Sequence, residues 1–366
     1  RSNIFFQKVI CATLSGCGSV HLVEAVNSCG KGFDTVVVDE ACQATELSTL
    51  IPLSLGCKRL ILVGDPRQLP ATVISPRAAR LNLEISLFER LERAGHPVHM
   101  LTVQYRMHPE IRAFPSERFY GGRLVDAPCV RCQSPVPALS PPAQPLGPCF
   151  PPFIVLDVSS GREQRVRSSY ENAQEAALVV ALLSRLVAFG LRQRRGSSRL
   201  CLEAEGSGGR GGVSWKVRVG VIAPYRGQVR RIQQELGDHW RLKGGPEDGG
   251  VNVEISTVDG FQGKEVDVVL FSCVRAPSAA GGGGCRGGIG FLADRRRMNV
   301  AISRARLSLV VLGNASRLST DPTWKSLVDH AYARGCLVRD AMRPQRTMPG
   351  KVGEVERAEE FCTKVE

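Results

Sequence analysis

An α/β fold with parallel sheets is the architecture that the sequence predicts. Short runs of β-branched and aliphatic residues recur along the chain, and an amphipathic stretch follows most of them. Such runs are typical of strands that helices bury on both faces, as in parallel sheets. The 366 residues, 43% of them hydrophobic, are enough for two domains with substantial cores. The predicted strands are residues 9–12, 35–38, 60–63, 153–156, 217–222, 266–271 and 307–312.

Three segments interrupt this alternation, and we interpret them as loops. Residues 127–152 are rich in proline and small residues, residues 192–212 are rich in Arg, Gly and Ser, and residues 276–288 contain four consecutive glycines. Glycine runs are poorly tolerated inside helices and strands. From residue 343 onward the chain is charged and aperiodic, which predicts a disordered tail or a linker over residues 343–366.

The charge of the chain favours a polyanionic partner. The sequence has 48 Lys plus Arg against 35 Asp plus Glu, a formal net charge of +13. An excess of this sign suits binding to nucleic acid. The alternative is that the charge only keeps the protein soluble, and composition alone does not decide between the two.

The cysteine pattern indicates a reducing, intracellular environment. Most of the thirteen cysteines stand singly in apolar runs, as Cys42 and Cys273 do, which is typical of reduced core cysteines. Cys129 and Cys132 form a Cys-x-x-Cys without a second pair, so a zinc site is disfavoured but stays open. The sequence has no signal peptide and no run of about 18 consecutive apolar residues, so we expect no membrane contact.

Two adjacent carboxylates follow the predicted strand at residues 35–38. Asp39 and Glu40 stand at the carboxyl end of that strand, where open parallel sheets bind their ligands. In enzymes that hydrolyse nucleoside triphosphates, the first such carboxylate holds Mg²⁺, and a following Glu can polarise the attacking water. The alternative is that the pair only caps the next helix.

A second strand end carries a constrained polar loop. Gly64, Asp65 and Gln68 follow the predicted strand at residues 60–63, and prolines flank them. A Gln amide can donate and accept, so it can sense a γ-phosphate or orient water. The alternative is a proline-rich turn, which explains the Gly and Pro residues but not Asp65 and Gln68 together.

The order of these and three later motifs resembles that of superfamily 1 helicases, over roughly residues 4–340. Within the superfamily, the amino-acid sequences of the motifs are most similar to those of the senataxin type. This type belongs to the branch that also contains the up-frameshift RNA helicase. His108, beside a proline, is interpreted as a helix cap without a chemical role. The motifs are Asp39-Glu40-Ala41, Gly64-Asp65-Pro66-Arg67-Gln68-Leu69-Pro70, Gln104-Tyr105-Arg106-Met107-His108-Pro109, Val258-Asp259-Gly260-Phe261-Gln262-Gly263-Lys264-Glu265 and Arg297-Met298-Asn299-Val300-Ala301-Ile302-Ser303-Arg304-Ala305-Arg306.

The resemblance implies a role for each matching residue. Asp39 would bind the Mg²⁺ of ATP, Glu40 would be the catalytic base, and Gln68 would sense the γ-phosphate. Arg106 and Arg304 would reach the γ-phosphate across a cleft, and a planar guanidinium suits the charge on a transferring phosphoryl group. The alternative for Arg304 is an exposed helix arginine. The other implied nucleotide-binding residues are Asp65, Tyr105 on the adenine, Gly263, and Glu265 on the ribose.

The same resemblance implies two RecA-like domains, with ATP in a cleft between them and a single strand running across both. Residues 1–100 would be the C-terminal part of an incomplete first domain, and residues 101–342 would be the second. The implied partners are single-stranded RNA or DNA, or RNA–DNA hybrids, in the nucleus rather than the cytoplasm. The residues implied to contact the strand are Thr13, Ser15, Pro224, Tyr225, Arg226, Ser256 and Thr257.

One element of the family is missing from this chain. Such motors need Gly-x-x-x-x-Gly-Lys-Ser/Thr, whose amides and Lys cradle the phosphates, and no such string occurs. In the family this loop comes well before the Asp-Glu motif, so we expect the chain to be a fragment. We predict an ATP-dependent helicase or translocase, with ATP and Mg²⁺ as cofactors, whose fragment alone is inactive. The alternative is a non-enzymatic pseudo-helicase module that binds nucleic acid.

Overall fold

The computed structural model describes residues 8–131, 146, 150–195, 216–243, 250–278 and 288–341. The chain divides into two units, Arg1–Met100 and Leu101–Glu366. The predicted tail at residues 343–366 and most of the three predicted loops lie outside the described residues.

Unit 1 contains a two-stranded parallel sheet. In its register, Val36 of strand β1 lies opposite Leu60 of strand β2, and Val38 lies opposite Leu62. The side chains of Thr45, Ser75 and Ser86 cap three of the helices by accepting a hydrogen bond from the amide three residues on. The elements are α1 (Val20–Cys29), β1 (Phe33–Val38), α2 (Glu46–Leu53), β2 (Cys57–Leu62), α3 (Pro76–Arg80) and α4 (Leu87–Arg93), with 3₁₀ helices at Ser15–Gly18 and Ala41–Gln43.

One face of the β1–β2 sheet is open in the described part of unit 1. Val37 and Ile61 lie opposite each other in the register and are 61% and 41% exposed. Parallel sheets are normally covered on both faces. The apolar side chains on this face are therefore largely uncovered by the described residues of unit 1.

The strand predicted at residues 9–12 is not formed. These residues have no regular secondary structure, and the Val9 side chain is 77% exposed. A strand is stabilised by hydrogen bonds to a neighbouring strand, and among the described residues of unit 1 the sheet contains only β1 and β2. The apolar run at residues 9–12 therefore has no partner to pair with here.

Unit 2 is built on a six-stranded, fully parallel sheet in the order β12-β5-β11-β10-β8-β9. A short parallel pair, β3–β4, and an antiparallel hairpin, β6–β7, accompany it. The strands are β3 (Val103–Gln104), β4 (Val125–Asp126), β5 (Phe153–Asp157), β6 (Gln164–Val166), β7 (Ser169–Glu171), β8 (Val217–Ala223), β9 (Val251–Thr257), β10 (Val266–Ser272), β11 (Ala305–Gly313) and β12 (Leu337–Val338).

Helices pack against this sheet and complete an α/β unit of the predicted RecA-like class. The main hydrophobic core includes residues of two long helices and of the central strands, among them Leu183, Val221, Ile232 and Leu270. The helices are α5 (Pro109–Tyr120), α6 (Pro128–Arg131), α7 (Ala173–Arg195), α8 (Arg226–Lys243), α9 (Arg295–Ile302), α10 (Ala315–Leu318) and α11 (Pro322–Ala333), with 3₁₀ helices at Asp259–Phe261 and Gly290–Ala293.

Helix α7 is the one helix among the described residues that is long and apolar enough to cross a membrane. Its segment Ala173–Arg192 has a hydropathy of 1.6. Core helices of soluble proteins meet the same criterion, and Val179, Leu183 and Leu186 of α7 are buried in the main core. The apolar character of α7 is therefore explained by its packing against the sheet.

The predicted loop at residues 127–152 is not wholly an extended surface connection. Pro128–Arg131 forms one helical turn, and Ala127 and Val130 are buried. Leu146 and Phe150 are also buried and belong to the main core. The prolines and small residues of this segment leave no apolar periodicity, so the sequence did not indicate which positions are buried.

Candidate functional site

The two polar strand ends of unit 1 lie side by side. The Val63 amide donates to the Val38 carbonyl at 2.9 Å, and the Ala41 amide donates to the Val63 carbonyl at 2.8 Å. These bonds continue the β1–β2 pairing past both strand ends. The structure therefore brings the loop with Asp39 and Glu40 next to the loop that begins at Gly64.

Gly64 allows this close approach. A Cβ atom at this position would lie 2.9 Å from both the backbone nitrogen and the sulfur atom of Cys42. Cys42 itself is buried, and burial together with nearby carboxylates such as Asp65 raises the pKa of its thiol to about 12. A protonated, inert thiol is what a packing role requires.

Glu40 is held in an unusual conformation. Its φ of 51° lies in the left-handed region, which is uncommon for residues other than glycine and occurs often at functional sites. The Glu40 amide donates to Asp39 Oδ1 at 2.9 Å, and Gln43 Nε2 donates to Glu40 Oε2 at 2.6 Å. The Glu40 side chain makes no capping hydrogen bond, so the helix-cap alternative does not explain it.

The second loop is braced by its own aspartate. Asp65 Oδ1 accepts the Arg67 amide at 2.8 Å, and Asp65 Oδ2 accepts Gln68 Nε2 at 2.8 Å. Leu69 is 5% exposed and anchors the end of the loop. Asp65 thus holds the Gln68 amide in one orientation.

The carboxylate of Asp39 fits a Mg²⁺ ion that arrives with phosphate groups. Mg²⁺ is usually bound by one or two carboxylates, with phosphates and water as its other ligands. Asp39 is exposed, and the hydrogen bond from Glu40 engages only its Oδ1 atom. Among the described residues there is no group of three or more His, Cys, Asp or Glu placed to hold a metal by themselves. Cys129 is exposed, and Cys132 lies outside the described residues.

In unit 2, the loop that carries Tyr105 and Arg106 is fixed by Gln104. The Gln104 Oε1 atom accepts the amides of Arg106 and Met107 at 2.9 and 2.8 Å. Its Nε2 atom donates to the Met107 carbonyl at 2.7 Å and to Asp126 Oδ1 at 2.6 Å. All four hydrogen bonds that an amide side chain can make are therefore formed. Tyr105 remains 70% exposed at the tip of the loop.

Arg106 forms an ion pair with Glu265. The Nε atom of Arg106 lies 2.9 Å from Glu265 Oε2, and its Nη1 atom donates to the Ser303 carbonyl at 3.3 Å. Burial by itself would raise the pKa of Glu265, but the hydrogen bond and charge of Arg106, together with the charges of Arg306 and Arg218, outweigh it and hold the pKa below its ordinary value. Gly263, two residues earlier, has a φ of 74°, which suits glycine.

Arg304 is buried rather than exposed on a helix. It lies between α9 and β11, and its relative exposure is 2%. Its Nε atom donates to the Val300 carbonyl at 3.1 Å and its Nη1 atom to the Lys264 carbonyl at 3.3 Å. The alternative of a solvated helix arginine is therefore wrong. His108, in contrast, caps α5 as predicted, because its Nδ1 atom accepts the Glu110 amide at 3.2 Å.

The residues predicted to contact a nucleic-acid strand fall into two groups. In unit 1, Thr13 Oγ1 accepts the Gly16 amide at 3.0 Å in the turn that contains Ser15. In unit 2, Ser256 and Thr257 end strand β9 beside the end of β8, which Pro224, Tyr225 and Arg226 follow. Arg226 is exposed, but Tyr225 is only 4% exposed and its ring packs against Tyr170 and Phe291.

Three residues near these sites were missed by the sequence interpretation. Gln43 contacts Glu40, Gln104 holds the loop of Arg106, and Phe291 is a 55% exposed ring beside Tyr225. Gln43 lies two residues after the Asp39-Glu40-Ala41 motif, and Gln104 is the first residue of the motif that contains Tyr105 and Arg106, so their positions beside the predicted site residues were the available signal. For Phe291 the sequence gave no such signal.

Comparison with known proteins establishes the family. Two family profiles, each described as "AAA domain", match residues 2–76 and 83–316. Probable helicase MAGATAMA 3 of Arabidopsis thaliana is 41% identical over 90% of this chain and 36% of that protein. Helicase SEN1 of Saccharomyces cerevisiae is 39% identical over 90% of this chain and 13% of its own length. Probable helicase senataxin of Homo sapiens is 36% identical over 92% of this chain and 11% of its own length.

The chain belongs to the AAA domain family, because the profile at residues 83–316 covers more than half of it. The relatives named above are all described as helicases, and the chain is similar to the senataxin-type helicases of superfamily 1. It spans between 11% and 36% of the length of the three curated relatives named above. Among solved structures, "The structure of PRRSV helicase" matches 79% of this chain and 38% of that chain, with 16% identity and a TM-score of 0.33.

Proposed function

We propose that the chain is part of an ATP-dependent motor that moves along single-stranded nucleic acid. The observation that carries this proposal is the pairing of the two strand ends in unit 1, which places the Asp39–Glu40 loop beside the Asp65–Gln68 loop. A metal-binding carboxylate, a base and an amide at neighbouring strand ends are the groups that triphosphate hydrolysis needs.

Each group has a chemical task in this proposal. When bound, Mg²⁺ neutralises charge on the phosphates, and Asp39 would hold it. Glu40 accepts a proton from the attacking water, and Gln43 keeps the Glu40 carboxylate in place. Gln68 orients the water or senses the γ-phosphate, and Asp65 sets its amide orientation. Arg106 and Arg304 stabilise the charge that develops during transfer. Tyr105 and Glu265 bind the adenine and the ribose, beside Gly263.

The proposed nucleic-acid substrate is single-stranded RNA or DNA, or an RNA–DNA hybrid. The net charge of +13 supports binding through phosphates, and hydroxyls such as those of Ser256 and Thr257 can hold phosphates without reading sequence. We also propose a nuclear location, which rests on the similarity to senataxin-type helicases. The names of the relatives support helicase activity in those proteins, and we extend it to this one as a proposal.

ATP hydrolysis tests the proposal. A longer version of the chain that includes a phosphate-binding loop should hydrolyse ATP faster when single-stranded oligonucleotide is added, and Glu40→Gln should abolish the stimulated rate. The 366-residue chain should not hydrolyse ATP, because the amides and Lys of that loop supply most contacts to the triphosphate. Stimulated hydrolysis by the short chain would contradict the second expectation and show that another segment replaces the loop.

The competing proposal is a module that binds nucleic acid without enzymatic activity. Both proposals predict that the chain binds single strands with little sequence preference and that affinity falls steeply as salt rises. They differ in the longer version, where the module predicts strand binding with no ATP hydrolysis. The neighbouring Asp39–Glu40 and Asp65–Gln68 loops favour the motor, because strand binding alone does not require carboxylates at these positions.

A further inference from the structure

We propose that Phe291 is a stacking platform for one base of a single-stranded nucleic acid. This inference rests on the proposed function and adds a binding residue to it. The Phe291 side chain is 55% exposed, yet it lies in a short 3₁₀ helix, Gly290–Ala293, that is firmly anchored. Ile289 and Leu292 on either side of it are buried, and the Leu292 carbonyl accepts Trp324 Nε1 at 2.7 Å.

The anchoring loop rests directly on Tyr225, a predicted strand-contact residue. The Tyr225 hydroxyl donates to the Ile289 carbonyl at 3.4 Å, and the rings of Tyr225 and Phe291 lie 5.6 Å apart. Gly290 permits this approach, because a Cβ atom there would lie 2.6 Å from the Tyr225 hydroxyl. Tyr225 itself is almost fully buried, so Phe291 is the ring of this pair that can meet a ligand.

Arginine side chains lie against two rings of this cluster. The Arg275 guanidinium carbon lies 4.7 Å from the Tyr170 ring centre, and the Arg297 guanidinium carbon lies 5.3 Å from that of Phe291. Tyr170 in turn packs edge-on against Tyr225 at 5.4 Å. Arg275 is buried and paired with Glu163 Oε2 at 2.7 Å, so it braces the Tyr170 ring, whereas Arg297 is partly exposed beside Phe291. An exposed ring next to an arginine is typical of surfaces that bind single strands, in which bases stack on aromatic side chains.

The position of Phe291 in the fold agrees with a ligand site. Tyr225 follows strand β8, and Asp259 follows strand β9, so both lie at the carboxyl edge of the sheet, where open α/β sheets bind ligands. Arg297 connects Phe291 to this edge through its ion pairs with Asp259 at 3.4 Å and Asp294 at 3.0 Å. These carboxylates hold Arg297 beside the ring. The exposed Arg226 and Arg295 supply positive charge in the adjoining sequence.

A strand-binding assay with the 366-residue chain tests the proposal. We would compare a labelled thymidine oligonucleotide with an otherwise identical one that contains several consecutive abasic sites. Phe291→Ala should weaken binding of the complete strand by about tenfold, the usual effect of losing one stacked base. Phe291→Trp should retain the affinity. Because phosphate contacts are unaffected, the slope of log affinity against log salt should not change in Phe291→Ala.

The abasic strand separates stacking from other effects. Wild-type chain should prefer the complete strand, and Phe291→Ala should lose much of that preference. Tyr332→Ala is the matched control, because Tyr332 is also an exposed aromatic (66%) with an arginine, Arg339, 5.6 Å from its ring centre, but it lies on α11. This control should bind both strands like the wild type, and thermal unfolding should show all variants folded.

Two outcomes would overturn the proposal in different ways. If the wild-type chain binds no single strand, the proposed function fails, and the stacking site fails with it. If the wild-type chain binds but folded Phe291→Ala binds equally well and keeps the preference for the complete strand, only the stacking site fails. The exposed ring would then be assigned to a protein contact.

Discussion

Arg106 Nε donates a hydrogen bond to Glu265 Oε2 at 2.9 Å, although the two residues are 159 positions apart in the chain. The family resemblance implies different ligands for them, a phosphate for Arg106 and a ribose for Glu265. The pair therefore links two proposed nucleotide contacts within unit 2. Gln104, which bonds the amides of Arg106 and Met107, fixes the backbone on the Arg106 side of this pair.

The first prediction concerns the geometry of Arg106. In the longer version with a phosphate-binding loop, Arg106→Lys should reduce ATP turnover by about 10³-fold, the scale of an arginine-finger effect. A lysine carries the charge but lacks the planar fork that contacts Glu265 and that, in the proposed role, would bind the phosphate at the same time. Strand binding without nucleotide should stay nearly unchanged. Turnover is measured at saturating oligonucleotide.

Arg230→Lys is the control for this prediction, because Arg230 is exposed on α8 and has no assigned role in ATP hydrolysis or strand binding. It should leave turnover near the wild-type rate. Near-normal turnover in Arg106→Lys would remove Arg106 from the active site. Weaker strand binding with normal maximal turnover would place it on the nucleic-acid surface instead.

The second prediction is that Gln43 positions the Glu40 carboxylate. Gln43→Leu keeps a similar size but removes the donor that lies 2.6 Å from Glu40 Oε2. A base displaced by a fraction of an ångström is less effective. In the longer version with a phosphate-binding loop, kcat should therefore fall on the order of 10- to 100-fold while KM for ATP changes little. Gln234→Leu, an exposed position on α8, should leave both constants unchanged. A normal kcat in Gln43→Leu would make the hydrogen bond irrelevant to hydrolysis.

Local sequence signals predicted the strand ends well. Asp39 and Gly64 each follow a run of β-branched and aliphatic residues, and a strand is recognisable within such a run alone. The structure confirms the α/β class and the parallel sheets, which were predicted from the same local runs. The family profiles and relatives confirm the helicase resemblance, which depended on motifs of a few residues each.

Long-range packing could not be predicted from those signals. The burial of Tyr225 depends on the loop of Phe291, which lies 66 positions further along the chain. The burial of Arg304 depends on carbonyls of α9 and of Lys264. The prediction of a strand at residues 9–12 was wrong, because a strand needs a neighbouring strand to pair with. An apolar run in the sequence does not show whether such a neighbour is present.

The third prediction separates stability from chemistry at Arg304. Arg304→Lys should lower the free energy of unfolding of the 366-residue chain by about 1–3 kcal/mol, because buried carbonyls such as that of Val300 lose their donors. Urea unfolding measures this change, and Arg295→Lys should leave stability unchanged. In the longer version, turnover should fall sharply even at temperatures where the variant is fully folded. Unchanged stability would contradict the buried contacts, and unchanged turnover would contradict a role in hydrolysis.

The last prediction concerns a buried carboxyl in the core of unit 2. Glu175 of α7 is 0% exposed, and its Oε2 atom accepts Ser272 Oγ at 2.6 Å and the Val274 amide at 2.8 Å. Those bonds favour the carboxylate, but burial outweighs them and raises the pKa of Glu175 to about 7 from an ordinary value of 4.5. Val274 has a φ of 71°, which is strained for a β-branched residue, so the bond to Glu175 helps to hold the end of β10.

The sign of the pH dependence follows from the raised pKa of Glu175. The folded chain holds the proton more tightly than the unfolded chain, so the stabilisation is complete below a pH of about 4.5 and is lost as the pH rises through about 7. Relative to Glu175→Gln, which cannot ionise, the wild-type chain should lose about 3 kcal/mol of unfolding free energy over this range, at about 1.4 kcal/mol per pKa unit. Urea unfolding of both proteins between these pH values measures the difference. Glu84→Gln, at an exposed position, is the control, and its unfolding free energy should differ from that of the wild type by a nearly constant amount across this pH range. If the difference between Glu175→Gln and the wild type were also constant, Glu175 would ionise normally in the folded chain.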